Sequence, residues 1–327
     1  MQESSVQHPS PVRKCRTFRK KTGGKVDKKQ LPFKDGCRAR LPDTLPGSRS
    51  ASLPSCHSRL SSIPLEVQHI HHDMIKKIHY CWFGSPVPEA VRQNVRKWKE
   101  LNPDFEIIEW NESNIDVSRF EFGRRCLEQN KWGFLGDIVR LQALVEHGGF
   151  YLDCDVELFQ PLSRLPVDHR FTLGYMYNCA LGTAFLYAPP QHPLCISLLS
   201  LHNEIRKECW PVSNTIYTDY FINEVPEFLL NGKKWQSDLA TLYPKEFFEQ
   251  PSFIRSRGFS IHHCCGSWMP GKSHSFILNQ AFCHQVKWLK RKINTALALR
   301  RNEFYPYYRA ALKGVSLKKN YDWRIRQ

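Results

Sequence analysis

The sequence predicts an α/β fold with a mainly parallel central sheet flanked by helices. Two observations lead to this prediction. Stretches rich in β-forming residues alternate with stretches of helical periodicity between residues 75 and 153. The chain of 327 residues, of which 41% are apolar, is also long enough to bury a full core.

The alternation begins just after Met74. Residues 75–83 are rich in β-forming side chains and stop at a Gly-Ser-Pro sequence, which predicts a first strand that enters a loop. Residues 88–101 begin with a proline and carry apolar side chains at helical spacing, so they predict a helix. After an Asn-Pro-Asp turn, residues 105–110 predict the second strand.

The second half of the alternation ends in a glycine pair. Residues 134–147 predict a helix that stops at this pair, because glycine is favoured just past a helix C-terminus. Residues 150–153 then predict a short buried strand. Further β-rich runs, Phe171–Tyr175 and Thr183–Tyr187, precede a helix predicted over 193–208.

The formal charge of +16 is concentrated at the two ends of the chain. Residues 1–69 carry 14 Lys/Arg against 5 Asp/Glu (+9), and residues 286–327 carry 12 against 2 (+10). The remaining middle carries 21 against 24 (−3). We therefore expect a basic, largely disordered segment over 1–69, one folded domain over 70–280, and a basic helical segment over 281–327.

Twelve cysteines are spaced irregularly, and Cys264 and Cys265 are adjacent. This usage favours reduced thiols in a cytoplasmic protein over a disulfide framework, and no paired C-x-x-C motifs indicate a zinc finger. No signal-like apolar run opens the chain, and no stretch approaches eighteen apolar residues. We expect at most peripheral contact with the inner face of a membrane.

The segment Gly148–Glu157 carries the first chemical motif, because Asp153 and Asp155 follow an apolar strand at positions i and i+2. In an extended chain this spacing points both carboxylates the same way, so they could share one divalent cation. Such a cation keeps coordination sites free for diphosphate oxygens. A solvated acidic turn is the alternative interpretation of this motif alone.

Two other stretches carry candidate binding residues. Asp137 and Arg140 share one face of a predicted helix, either as a simple ion pair or with Arg140 neutralising phosphate and Asp137 accepting hydrogen bonds from sugar hydroxyls. The stretch Ile261–Trp268 contains two histidines, a serine and a tryptophan. Histidine is a good ligand for Mn²⁺ and tryptophan can cover a ring, although the histidines could also be structural.

Together with residues 78–84, these motifs resemble the DXD-containing sugar-binding glycosyltransferases of glycosyltransferase family 32. The family includes relatives of the yeast initiating α-1,6-mannosyltransferase, bacterial capsular polysaccharide transferases and, more distantly, the glucosylating domains of large clostridial toxins. The resemblance covers about residues 74–270. This sequence departs from the family at Gly136, where relatives often have serine, and in its basic N-terminal segment.

The resemblance implies a GT-A-like nucleotide-sugar-binding fold, with the catalytic domain over 70–280. It further implies a retaining, Mn²⁺- or Mg²⁺-dependent enzyme of glycan or polysaccharide biosynthesis. Such an enzyme moves a hexose or N-acetylhexosamine from a UDP- or GDP-sugar to a glycan or lipid-linked acceptor. No carboxylate nucleophile can be assigned, so departure and attack on the same face of the sugar is favoured over a covalent intermediate.

The resemblance also implies roles at the donor. Trp82 would stack on the donor base, while Asp137 and Arg140 would hold the donor sugar and its phosphate. Asn178 would lie near the sugar, and Ser267–Trp268 would close over the diphosphate.

The metal ligands and catalytic candidates follow from the same resemblance. Asp153 would contact the ribose or the metal, and Asp155 would bind the metal directly. His263, in a His-x-x-Gly pattern, would be the third ligand, with His262 as the alternative. The candidate catalytic residues are Asp137, Arg140, Asp153 and Asp155.

Apolar residues at helical spacing between Phe282 and Leu297 stand among lysines and an arginine. This basic amphipathic helix could lie on an anionic membrane, or it could pack its apolar stripe on the domain. The sequence alone does not decide between the two.

Two rival functions are less well supported. A nucleic-acid-binding protein would explain the charge of +16, but the folded middle sums to −3 and the ends lack a recognition motif, so no nucleic acid is expected. A metal-dependent nucleotide-sugar hydrolase could use the same acidic pair. Hydrolases of that kind usually need a denser His/Asp cluster than this chain shows.

Overall fold

The structure is a computed structural model that describes residues 74–266 and 284–324. The segment expected over 1–69 lies outside the described residues, as do Ser267, Trp268 and Phe282. Most of the residues expected to form the central domain, and most of the basic C-terminal stretch, are described.

The described residues form strands and helices in alternation. The strands are β1 (Lys77–Cys81), β2 (Glu106–Trp110), β3 (Gly149–Leu152), β4 (Val156–Leu158), β5 (Phe171–Tyr177), β6 (Ala180–Ala188), β7 (Trp235–Gln236), β8 (Ala240–Tyr243) and β9 (Ser260–His262). The helices are α1 (Glu89–Leu101), α2 (Glu121–Glu128), α3 (Trp132–His147), α4 (Pro193–Leu201), α5 (Ser213–Glu224), α6 (Lys245–Phe248), α7 (His284–Leu299) and α8 (Tyr305–Ala311). Single turns of 3₁₀ helix occupy Leu162–Arg164, His202–Glu204 and Arg255–Arg257.

The central sheet has seven strands in the order β2-β1-β3-β6-β5-β8-β7. Strands β1, β2, β3, β5 and β8 run in one direction, while β6 and β7 run in the opposite direction. The prediction of an α/β fold with a mainly parallel sheet is therefore confirmed. The reversed strand β6 lies between β3 and β5, in the middle of the sheet.

Both faces of the sheet are covered, and strand β6 shows how. Along it, Phe185 and Tyr187 contribute to one apolar cluster and Leu186 and Ala188 to the other. Because successive side chains of a strand point to opposite faces, this alternation places one cluster on each side of the sheet. Helix α3 packs on one of these faces, since its residues Leu135, Ile138 and Leu141 belong to the same cluster as Leu186.

A glycine pair turns the chain from α3 into β3. Gly148 has a φ of +63° and Gly149 a φ of +102°, a region that favours glycine. A Cβ atom on Gly148 would also lie 2.7 Å from the backbone nitrogen of Pro190. The glycine stop predicted after residue 147 is thus where the helix ends, and strand β3 follows at once.

A small second sheet lies beside the main one. Strands β4 and β9 pair antiparallel, with Val156 opposite His262 and Leu158 opposite Ser260. Strands of three residues give little signal in a sequence, and neither was predicted as a strand. Their pairing brings the chain near residue 262 next to the Asp153–Asp155 segment.

Two other expectations concern the chain beyond the sheet. The helix predicted over 193–208 ends earlier, because α4 stops at Leu201 and continues only as one 3₁₀ turn. The eight cysteines within the described residues are all free thiols.

Candidate functional site

Asp153 and Asp155 lie in a tight turn between β3 and β4. The backbone N–H of Val156 donates to the carbonyl oxygen of Asp153 at 2.8 Å, which closes a four-residue turn. The two carboxylates are therefore brought together by a turn, and not by the extended chain that the i, i+2 argument assumed. The N–H of Asp153 is also held, because it donates to the Ala184 carbonyl of β6 at 2.8 Å.

The imidazole of His262 faces this acidic turn. Its Nε2 atom lies 3.2 Å from Asp155 Oδ1 and 4.0 Å from Asp153 Oδ2. One ligand atom from each of Asp153, Asp155 and His262 falls within 4.8 Å of the others. The backbone N–H of Cys265 donates to Asp155 Oδ2 at 2.8 Å and orients that carboxylate.

The rings of the two adjacent histidines face different partners. The ring of His263 hydrogen-bonds through Nε2 to Glu157 Oε2 at 3.1 Å, while the ring of His262 faces the aspartates. Neighbouring residues in extended chain point to opposite sides, so only one of two adjacent histidines can face the turn. The register of β9 against β4 makes that residue His262.

Glu249 was not predicted, and it holds the other side of the His262 ring. Its Oε2 atom accepts a hydrogen bond from His262 Nδ1 at 2.8 Å, and its Oε1 atom lies 3.3 Å from the N–H of Ala184. The residue is 1% exposed. Gly182 makes room for it, since a Cβ atom there would lie 2.2 Å from Glu249 Oε1. No motif could have revealed this residue, because its partners come together only in the fold.

Arg140 and Asp137 lie on the buried face of α3. Arg140 Nη2 is 2.8 Å from Asp137 Oδ1 and 3.4 Å from Asp153 Oδ1, and Nη1 donates to the Thr183 carbonyl at 2.5 Å. The two residues are thus an intrahelical ion pair, as the simpler interpretation held. They also reach the acidic turn, so the ion pair is part of the same site.

Burial and charge shift the pKa values at the site. Burial raises the pKa of Asp137 to about 6, against the opposing effect of Arg140, and burial also raises the pKa of Asp153. Asp155 differs: burial favours its neutral form, but His262 and the Cys265 N–H hold its pKa below the usual range. Two carboxyl groups two residues apart therefore have different proton affinities.

These residues surround one cavity of about 650 Å³, a volume typical of small-molecule sites. Asp137, Arg140, Asp153, Asp155, His262 and Glu249 all line it. Trp82 lines it too, with its indole N–H donating to the Ser85 carbonyl at 2.8 Å. Asn178 is not among the lining residues and packs against Gly232. Ser267 and Trp268 lie outside the described residues.

The donor set fits a divalent cation such as Mn²⁺ or Mg²⁺. Carboxylate oxygens suit both ions, and an imidazole nitrogen suits Mn²⁺. A carboxylate behind the imidazole, as Glu249 is behind His262, is the usual support of a metal-binding histidine, because it fixes the ring and its tautomer. The carboxylates around the cavity also outnumber its positively charged groups.

Comparison with known proteins finds a family match over part of the chain. Residues 88–172 match the family described as "Glycosyltransferase sugar-binding region containing DXD motif". The matched region runs from the start of α1 into β5 and includes both aspartates of the turn and the Asp137–Arg140 pair. Residues 88–172 are thus similar to the sugar-binding region of DXD-containing glycosyltransferases, in agreement with the resemblance that the sequence motifs indicated.

Individual relatives are more distant. The chain is 30% identical over 108 residues to the subversion of eukaryotic traffic protein A of Legionella pneumophila, a match that covers 25% of this chain. It spans only 17% of the length of that curated relative.

Two solved structures are similar to parts of the fold. A structure described as PaToxG glycosyltransferase gives a TM-score of 0.40 at 17% identity, over 47% of this chain and 70% of that one. A glycosyltransferase involved in glycosylation of the major capsid of PBCV-1 gives a TM-score of 0.37 at 12% identity, over 57% of this chain and 93% of that one.

Proposed function

We propose that the protein is a metal-dependent, retaining glycosyltransferase. It would move a hexose or N-acetylhexosamine from a UDP- or GDP-sugar to a glycan or lipid-linked acceptor. One observation supports this most directly: Asp153, Asp155 and His262 lie within 4.8 Å of one another beside Arg140, in a cavity large enough for a donor. A nucleotide sugar needs this combination because its diphosphate is both the anchor and the leaving group.

The cation would be held by Asp155, Asp153 and His262, with Mn²⁺ favoured by the imidazole. When bound, it would supply positive charge to the departing diphosphate. Glu249 would keep the His262 ring aimed at the aspartates through the bond to Nδ1. His262 thus replaces His263 in the proposed ligand set.

The remaining lining residues would bind the donor. The Arg140 guanidinium lies 3.4 Å from Asp153 Oδ1 and would neutralise phosphate oxygens. Asp137, held by Arg140, would accept hydrogen bonds from sugar hydroxyls. The Trp82 indole at the cavity wall would stack on the base.

Retention is proposed to occur on one face of the sugar. Among the described residues of the cavity, each carboxylate has a partner: Asp137 and Asp153 contact Arg140, Asp155 contacts His262, and Glu249 contacts His262 and Ala184. A carboxylate committed in this way is a poor nucleophile toward the sugar. The leaving phosphate would then help to deprotonate the acceptor hydroxyl, and the catalytic contribution would be mainly electrostatic.

A role in polysaccharide or glycan biosynthesis, in the cytoplasm, completes the proposal. The free thiols of the described residues support a reducing location. A lipid-linked acceptor would be presented at a membrane surface, and peripheral association at the inner face is therefore part of the proposal.

Donor binding can be tested without knowing the acceptor. A panel of UDP- and GDP-sugars is added with and without Mn²⁺, and the melting temperature of the protein is measured. A ligand that binds only the folded protein at 100 times its Kd adds about 2.7 kcal/mol to the free energy of unfolding. We expect one donor to raise the melting temperature only when Mn²⁺ is present. A flat response to every donor would contradict the proposal.

The reaction itself distinguishes a transferase from a hydrolase. The stabilising donor is incubated with Mn²⁺ and candidate acceptors, and both free sugar and sugar transferred to acceptor are measured. Transfer that exceeds release, with the anomeric configuration retained, is the expected result. Release of free sugar alone, whichever acceptor is present, would favour a nucleotide-sugar hydrolase.

A further inference from the structure

Helix α7 presents an apolar stripe to the solvent. Val286, Leu289, Ile293 and Leu297 are 51–69% exposed. At 100° per residue these four side chains fall within an arc of about 80° on one side of the helix. The stripe therefore does not pack on the domain, which was one of the two outcomes the sequence left open.

The stripe is bordered by positive charge. Lys290 lies at one edge and Lys292 on the other flank, and both are exposed. No Asp or Glu occurs in α7, whereas four of its residues are Lys or Arg. An exposed apolar stripe with basic flanks is the pattern of helices that lie in the head-group region of a membrane.

The opposite side of α7 is attached to the site. Arg291 Nη2 donates to the carbonyl oxygens of His262 and His263, each at 2.8 Å. On the same side, His284 and Thr295 are buried, and His284 Nε2 is hydrogen-bonded to the Ser252 carbonyl at 2.6 Å. The helix therefore holds its inner face against the segment that carries the proposed metal ligand, and its outer face points away from it.

Charge complementarity indicates which kind of surface covers the apolar stripe. A second copy of this helix would bring its own lysines against those of the first. The segment 1–69 carries +9 and would be repelled in the same way. An anionic lipid surface offers both an apolar interior for the stripe and negative charge for its flanks. No described helix is long and apolar enough to cross a bilayer, so contact here would be lateral.

We propose that α7 lies along an anionic membrane, with Val286, Leu289, Ile293 and Leu297 in the head-group region and its lysines against lipid phosphates. Because a helix with its side chains is about 10–12 Å across, this holds the His262 segment within about one helix diameter of the surface. A catalytic site held at this position would favour an acceptor at the membrane surface, which extends the proposed function and rests on it. Binding of the helix itself does not require catalysis.

Sedimentation with vesicles tests the surface directly. The full chain is mixed with vesicles of phosphatidylcholine alone or of phosphatidylcholine with 30% phosphatidylserine, and the bound fraction is measured without donor. We expect binding to the anionic vesicles and at least tenfold weaker binding to the neutral ones. Equal binding to both vesicles, or binding to neither, would overturn the proposal.

Variants separate the stripe from general basic charge. The double variant Leu289→Gln/Ile293→Gln keeps the net charge and should weaken partitioning about tenfold or more, because apolar contact is lost. Lys290→Gln/Lys292→Gln should weaken it about fivefold for each lysine. The matched controls, Ile196→Gln/Leu239→Gln for exposed apolar residues and Lys97→Gln for charge, lie outside α7 and should bind like the parent.

Two results would assign another role to the stripe. If Leu289→Gln/Ile293→Gln sediments like the parent, the basic segments alone hold the protein on the vesicles and the proposal fails. If light scattering shows a dimer that the same variant converts to monomer, a second copy covers the stripe and the proposal also fails. Because sedimentation needs no donor, either failure is distinct from failure of the donor-binding test.

Discussion

Replacing Glu249 by glutamine is the sharpest test of the site. Glu249 is not one of the three proposed ligands, but it accepts a hydrogen bond from His262 Nδ1 at 2.8 Å, a length typical of a charge-assisted bond. This bond leaves Nε2 as the atom that faces Asp155, at 3.2 Å. A glutamine has the same shape but can donate to Nδ1, which would place the proton on Nε2 and block it as a ligand.

The expected loss is in metal affinity. Changes to the groups that support a metal-binding histidine weaken binding by about 10–100-fold, or about 1.4–2.7 kcal/mol. We expect the Kd for Mn²⁺, measured by calorimetry on the parent and on Glu249→Gln without donor, to rise within this range. The fold should be retained, because glutamine can still bond to the Ala184 N–H and fits beside Gly182.

A substitution at Gly182 should also displace the Glu249 carboxylate. In Gly182→Ala the new Cβ would lie 2.2 Å from Glu249 Oε1, and the end of that flexible side chain must move. Metal affinity should fall in this variant too, and combining it with Glu249→Gln should add less than the sum of the two effects, because both act on one hydrogen bond. The matched control is Asp219→Asn, a buried carboxylate that bonds to Lys319 and Trp323 and should leave the Kd unchanged.

One result would refute this reasoning. If folded Glu249→Gln binds Mn²⁺ within twofold of the parent, Glu249 does not position the ligand. His262 would then be either rigid without it or absent from the metal site. A His262→Ala variant with parental affinity would decide for the second explanation.

Three further predictions follow from the same geometry. Asp155→Ala, with its fold intact by circular dichroism, should reduce sugar transfer by about 100-fold or more, and near-normal turnover would remove Asp155 from the metal site. Asp137→Asn should flatten the pH dependence of stability between about pH 4 and 6 in urea denaturation. Burial raises the pKa of Asp137 in the folded protein to about 6, so its contribution to stability is full below its unfolded pKa of about 4 and is lost as the pH rises through 6. The free energy of unfolding should change by at most about 3 kcal/mol over this range. A pH profile identical to that of the parent would contradict the prediction. Gly136→Ala should raise stability by about 0.5–1 kcal/mol, because the position is helical and a Cβ there meets nothing within 4 Å; a lower melting temperature would show strain that the structure lacks.

Local sequence signals were sufficient for the long elements of the fold. The helix over 134–147 and the strand after it could be predicted because periodicity, the glycine pair and an apolar run agree within twenty residues. Helix α5 was missed because it is almost equally apolar on all sides and shows little periodicity. Strands β4 and β9 were missed because each has three residues and pairs with residues 102–106 positions away in the chain.

The site residues likewise include some that short motifs reveal and some that only the fold brings together. Asp153, Asp155, Asp137 and Arg140 lie in short motifs, and the structure brings all four to one cavity. The choice between His262 and its neighbour depends on which residue of β9 stands opposite Val156, and no local signal carries that register. Glu249 could not be predicted because its contacts join three separate segments: the residue just after α6, strand β6 and strand β9.

Strand β6 contacts both the arginine and the residues that support the histidine of this site. Its Thr183 carbonyl accepts from Arg140, while the Ala184 carbonyl accepts from the N–H of Asp153. The Ala184 N–H faces Glu249, and Gly182 leaves the space that this carboxylate occupies. Because β6 runs against β3, its backbone passes the acidic turn at the carboxyl end of β3 and offers bonding groups to both Arg140 and Glu249. The strand that reverses the sheet beside β3 is therefore the one that positions Arg140, Asp153 and Glu249 relative to one another.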